Sequence, residues 1–108
     1  MNPPYQYRAK VVRVVDGDTV ILSVDLGFRV QHEISVRLAR INAPERGQDG
    51  WDRAKLALCE ILHEGAEVFL TTKKGDRYGR WIGEISTEGE NVSDLLLADG
   101  VVAIYQPS

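Results

Sequence analysis

The sequence has one cysteine and two histidines, and each scarcity closes off a class of protein. Cys59 has no partner for an internal disulfide. His32 and His63 lie far apart and no Cys/His cluster surrounds either, which excludes a structural zinc site. Long apolar runs are missing too. The longest, Leu95 to Ile104, is broken by Asp99 and Gly100 and falls well short of the ~20 residues of a membrane-spanning helix. No basic, apolar, small-residue leader opens the chain, so the sequence gives export no support and leaves the compartment open between cytoplasm and an exported mature form. Basic charge is likewise in short supply, with 13 Lys and Arg against 16 Asp and Glu, a net charge of −3. Polyanion binding ordinarily leaves a basic footprint, so the total argues against a nucleic-acid partner. The acidic excess lies late: residues 61–90 carry four basic and six acidic side chains, and residues 91–108 none and two.

What is present is ordinary globular material, with 44% hydrophobic and 27% charged residues in a chain of 108. That length holds one core, expected to bury roughly two-thirds of the surface the unfolded chain exposes. We read residues 1–108 as a single domain with no repeat and no linker.

Apolar periodicity places the elements. Tyr5 to Val15 alternates as a strand that ends at the turn Asp16-Gly17-Asp18, and Thr19 to Val24 follows as a second. After a turn at Asp25 and Gly27, Phe28 to Ile41 reads as a long third strand with apolar spacing at Ile34, Val36 and Leu38. Asn42 to Gly50 has loop composition. Ala54, Leu56, Ala57, Ile61 and Leu62 carry helical spacing from about Trp51 to His63, with Gly65 as the terminator. Glu67 to Thr72 and Arg80 to Ser86 form a hairpin around Lys74-Gly75-Asp76. A short helix, Val92 to Ala98, is capped by Gly100 and leads into an extended Val101 to Tyr105. This order of three strands, a helix, two strands and a helix suits an α+β fold built on a five-stranded barrel of oligonucleotide-binding type, with SH3-like barrels in contention on pattern alone.

Three segments gather polar residues where strands end: Asp16 to Thr19, Arg37 to Glu45, and Asp76 to Arg80. They combine hard oxygen ligands, which suit Ca²⁺ or Mg²⁺, with arginine forks that grip a phosphate through two parallel hydrogen bonds. Phosphodiester hydrolysis needs that mixture, because water attacks phosphorus while positive groups stabilise charge on the surrounding oxygens.

The same segments resemble the staphylococcal nuclease family. The resemblance covers Tyr7 to Tyr105 and rests on four motifs in order: Val-Asp-Gly-Asp-Thr-Val at 15–20, Val-Arg-Leu at 36–38 leading to Ile-Asn-Ala-Pro-Glu at 41–45, Tyr-Gly-Arg at 78–80, and Val-Ser-Asp-Leu-Leu-Leu-Ala-Asp-Gly at 92–100. It implies a Ca²⁺-dependent endonuclease of little sequence selectivity on an oligonucleotide-binding barrel, with DNA as substrate, RNA open as a second, and Mg²⁺ or Mn²⁺ as alternative ions. It also implies roles. Asp18 binds the metal with the carbonyl of Ala43, Arg37 and Arg80 clamp the scissile phosphate, and Glu45 positions the attacking water. Tyr78 and Tyr105 contact substrate. The family's second metal-binding aspartate falls on Asn42, whose amide oxygen can ligate but brings no charge, so a weaker hold on the ion is expected. Family members ordinarily continue beyond the segment matching Val101 to Tyr105, which leaves Ser108 as a truncated or a natural end.

Other residues take blander readings. Arg40, out of step with Arg37, is expected on the surface, as are His32 and His63. Cys59 is expected in the core, and Trp51 and Trp81 in packing or lid roles. Lys73 and Lys74 are read as a solvated turn, with backbone tracking on a nucleic acid as the sharper option. The alternative to an enzyme is an inactive nucleic-acid-binding module of the same fold, and after it a protein-interaction barrel. Neither a membrane nor an obligate protein partner is indicated.

Overall fold

The computed structural model describes residues 5–75 and 79–105. Alternating Val and polar residues make β1 (Tyr5–Asp16), which serves both sides of the fold. Its first half pairs antiparallel with β5 (Glu67–Gly75) and its second half with β2 (Thr19–Asp25), Ala9 facing Val68 on one side and Val24 on the other. Register breaks between Val11 and Arg13 and between Val14 and Asp16 bend the strand, since a bulge adds local twist and curvature. β2 pairs with β3 (Gln31–Leu38) and β5 with β6 (Trp81–Thr87). A parallel pairing of Val36–Leu38 with Trp81–Gly83 then closes the order β3-β2-β1-β5-β6 into a five-stranded barrel. With helices α1 (Trp51–Ile61) and α2 (Val92–Asp99), this is the expected α+β architecture of oligonucleotide-binding type.

Side chains of one parity fill the barrel: Ala9 and Val11, Val20, Leu22 and Val24, Val36 and Leu38, Val68 and Leu70, and Ile85 are all buried. α1 adds Ala57 and Leu58, and α2 adds Val92 and Leu96 to the same cluster. Burial of each large aliphatic side chain contributes about 1.5–3 kcal/mol before the cost of ordering the chain. Among the described residues no helix is long and apolar enough to cross a membrane.

The third strand is shorter than its composition suggests. Phe28 and Arg29 take left-handed conformations, φ 53° and 64°, inside a turn closed by Val30 N–H donating to the carbonyl of Gly27. At the far end Arg40 is also left-handed, φ 71°, so β3 stops at Leu38. Ile41–Asn42 is a separate strand, β4. After β7 (Glu90–Asn91) and α2, the extended C-terminal stretch reduces to β8 (Ala103–Ile104), paired with β4. β5 runs on to Gly75 where the sequence suggests an end at Thr72. Cys59 is half-buried and not in the core, because the buried stripe of α1 is Ala54, Ala57 and Leu58 and leaves it at the edge. His32 and His63 are exposed, as expected.

Candidate active site

Gly17 decides where the first acidic turn sits. A Cβ there would lie 2.6 Å from the Cβ of Ala54 on α1 and 3.0 Å from that of Ala43. The residue lies outside the left-handed region, so glycine is needed for close approach to the helix and not for turn conformation. That approach pushes Asp18 into the protein, where it is 8% exposed.

The buried carboxylate is held at both oxygens. Asp18 Oδ1 accepts from the Thr19 hydroxyl at 3.0 Å, and Oδ2 accepts from Ala43 N–H at 3.0 Å. Thr19 thus supports the turn, and Ala43 is joined to Asp18 through its own amide. Asp16, beside them, accepts from the Trp51 indole N–H at 2.7 Å, which ties the start of α1 to the acidic turn. Trp51 is also flanked by the Arg46 guanidinium and the Lys55 ammonium, 5.4 and 5.1 Å from its ring.

Arg37 leaves β3 on the solvent side of the wall, with its neighbours Val36 and Leu38 pointing into the barrel. Its guanidinium donates to Asn42 Oδ1 at 3.1 Å and lies 3.7 Å from Asp18 Oδ2. The half-exposed ring of Tyr105 packs over it, 5.1 Å from the guanidinium carbon. A cation over an aromatic face is attracted by the ring quadrupole, about 0.5–1 kcal/mol at exposed sites.

Asp16, Asp18, Arg37, Asn42, Ala43, Glu45, Arg46 and Arg80 line one open pocket of about 370 Å³. A larger groove of about 550 Å³ on the outer face of β1, β2 and β5 contains none of these residues, so size does not choose the site. Glu45 is exposed at the pocket rim, its N–H donating to Gln48 Oε1 at 2.7 Å in a turn that sets the loop. Tyr78 lies outside the described residues.

Oxygen donors of carboxylate, amide and backbone type fit a hard divalent cation better than a softer transition metal. Among the described residues no cluster of three or more His, Cys, Asp and Glu could hold a metal ion. Of the oxygen donors proposed for such a cation, Asp18 is the one that brings charge, and the Asn42 amide adds none.

Arg40 is exposed, as expected, and is also tied to its neighbours there. Its Nε donates to Glu84 Oε2 at 2.6 Å, one terminal nitrogen donates to Asn91 Oδ1 at 3.0 Å, and the other lies 3.0 Å from Asp94 Oδ1. The hydrogen bond to Glu84 raises its pKa above the ordinary arginine value, with partial burial acting the other way. Ser93, wholly buried, donates its hydroxyl to the carbonyl of Ala39. Sequence reasoning missed this support. The one available signal was the break in parity, since Ile34, Val36 and Leu38 face inward and Ile41 is buried out of step with them.

The Staphylococcal nuclease homologue family model matches residues 35–108, which carry Arg37, Asn42, Glu45 and Arg80. The chain belongs to that family. A micrococcal nuclease of Shigella flexneri is 34% identical over 109 residues, covering 93% of this chain and 59% of its own length. An uncharacterized endonuclease of Escherichia coli O157:H7 is 33% identical over 98 residues, covering 90% and 60%. The protein ParB of Escherichia coli is 38% identical over 110 residues, covering 94% and 59%. The chain spans only about 60% of the length of those curated relatives.

Proposed function

We propose that the chain is a metal-dependent endonuclease that hydrolyses phosphodiester bonds of DNA, with RNA open as a second substrate, and with little sequence selectivity. The observation that carries this reading is the convergence of Asp18, Asn42, Arg37, Glu45 and Arg80 on one pocket. In this reading Asp18, Asn42 and the carbonyl of Ala43 hold a hard cation, Ca²⁺ by preference with Mg²⁺ or Mn²⁺ as substitutes. When bound, such an ion would supply Lewis-acid polarisation of a phosphate oxygen.

The protein's own groups do the rest. Arg37 and Arg80 bind the scissile phosphate and stabilise the charge that develops on its oxygens. Arg37 now donates to Asn42, and an arriving phosphate would draw that fork toward itself. Glu45 accepts a proton from the water that attacks phosphorus, and its exposed position at the rim leaves it open to solvent water. Tyr105 holds the Arg37 guanidinium from one side and presents a ring to the substrate. Tyr78 is proposed as a further substrate contact on its place in the Tyr-Gly-Arg motif alone.

The test is a cleavage assay on end-labelled single-stranded DNA with Ca²⁺, Mg²⁺, Mn²⁺ and EDTA in turn. Cleavage with at least one ion and none in EDTA is expected. Cleavage that persists in EDTA removes the metal from the mechanism. Salt-sensitive binding without cleavage under every ion replaces it with the inactive binding module.

A further inference from the structure

The turn at residues 38–43 carries Arg37 at its entrance and Asn42 near its exit, and it is pinned at nearly every residue. Leu38 N–H donates to the carbonyl of Asp18, Ala39 N–H to that of Gly83, and Ala43 N–H to the Asp18 carboxylate. The carbonyl of Arg40 accepts from Tyr105 N–H at 2.8 Å, and the Tyr105 ring covers Arg37. At the apex stands a non-glycine residue in the left-handed region, and its side chain reaches three residues of β6, β7 and α2. Asn91 Oδ1 receives both Arg40 and the N–H of Asp94, so the same atom caps α2 and anchors the turn. A residue strained at a functional site persists only where its surroundings over-determine it.

We propose that Arg40 is a positioning residue for the active site: clamped by Glu84, Asn91 and Asp94, it holds the 38–43 turn so that Arg37 and Asn42 face the pocket and Tyr105 stays over Arg37. Its catalytic part rests on the nuclease reading above. Arg40 touches no reacting atom and lies outside the pocket lining. Its influence runs through the backbone on either side, with Arg37 three residues before it and Asn42 two after.

Glycine separates the two things Arg40 does, because it accepts the left-handed backbone at no steric cost and removes the clamp. In Arg40→Gly the expected result is a folded chain whose melting temperature stays within a few degrees of wild type. Its kcat on single-stranded DNA falls at least tenfold and its KM stays within about threefold, the split given by lost transition-state stabilisation. Amide exchange at Ala39 to Ala43 and at Tyr105 should speed at least tenfold, with β2 unchanged. Arg40→Lys, which keeps the charge without the fork, should recover part of the kcat. Should Arg40→Gly fail to fold, Glu84→Gln preserves the shape, removes one charge, and should shift kcat and exchange the same way. Wild-type kcat together with wild-type exchange in a folded clamp variant overturns the proposal, as does a loss confined to KM. If the wild-type chain cleaves nothing with any ion, the nuclease reading fails, and the exchange pattern alone decides whether Arg40 holds the turn.

Discussion

The two ends of β3 make the same backbone demand and answer it differently. Before the strand, Phe28 and Arg29 sit in the left-handed region, with Phe28 fully exposed and Arg29 in no ion pair among the described residues. After it, Arg40 adopts that conformation and is tied to Glu84, Asn91 and Asp94. Such a conformation costs an L-residue about 1–2 kcal/mol. At the hairpin the cost accompanies a surface turn. At Arg40 it accompanies a fork of polar contacts beside the pocket, and the contrast marks which strained turn belongs to the site.

Three substitutions test whether the two ends of β3 differ in this way. Gly17→Ala drives a methyl into Ala54 at the pinned end, and overpacking of this kind costs about 1–3 kcal/mol. Thermal melting should show the loss, while glycine replacements at the hairpin end should not. Asn42→Asp adds a charge among the proposed metal ligands, and a Ca²⁺ titration of cleavage should show roughly tenfold less ion needed for half-maximal activity, following ligand charge. Unchanged metal dependence would show that the Asn42 side chain does not ligate. Arg29→Gly relieves strain at the end where no clamp offsets it. A stabilisation of up to about 1 kcal/mol by denaturant melting is expected, with cleavage unchanged.

Much of the barrel was legible in the sequence because period-two alternation survives wherever one face of a strand is buried, as along Val20, Leu22 and Val24. The third strand was overextended because composition does not record φ, and Phe28, Arg29 and Arg40 are not residues that announce a left-handed turn. For the site, motif order pointed to Asp18, Arg37, Asn42, Ala43, Glu45 and Arg80, all of which line the one pocket. Tyr105 meets Arg37. The supports were hidden because they are long-range: Trp51 reaches Asp16 across 35 positions and Arg40 reaches Glu84 across 44, with no local pattern to mark either. Gly17 was visible as a turn residue, but its real constraint, contact with a helix more than thirty residues away, was not.

Net charge also changes meaning against this geometry. A chain at −3 has little long-range attraction for a polyanion, so substrate affinity should be modest and its salt dependence shallow. Along the pocket the charges balance, with Arg37, Arg46 and Arg80 beside Asp16, Asp18 and Glu45, so the arginines offer local contacts and not a net positive field.

Arg37 and Arg80 are proposed to act together on one phosphate. The most direct measurement is the cleavage rate of end-labelled single-stranded DNA by Arg37→Ala, Arg80→Ala and the double variant, each with its melting temperature recorded. Folded proteins are expected in which either single change lowers kcat on the order of a hundredfold or more, with the double variant little worse than either alone. Cleavage at the wild-type rate by a folded Arg37→Ala or Arg80→Ala chain would contradict it.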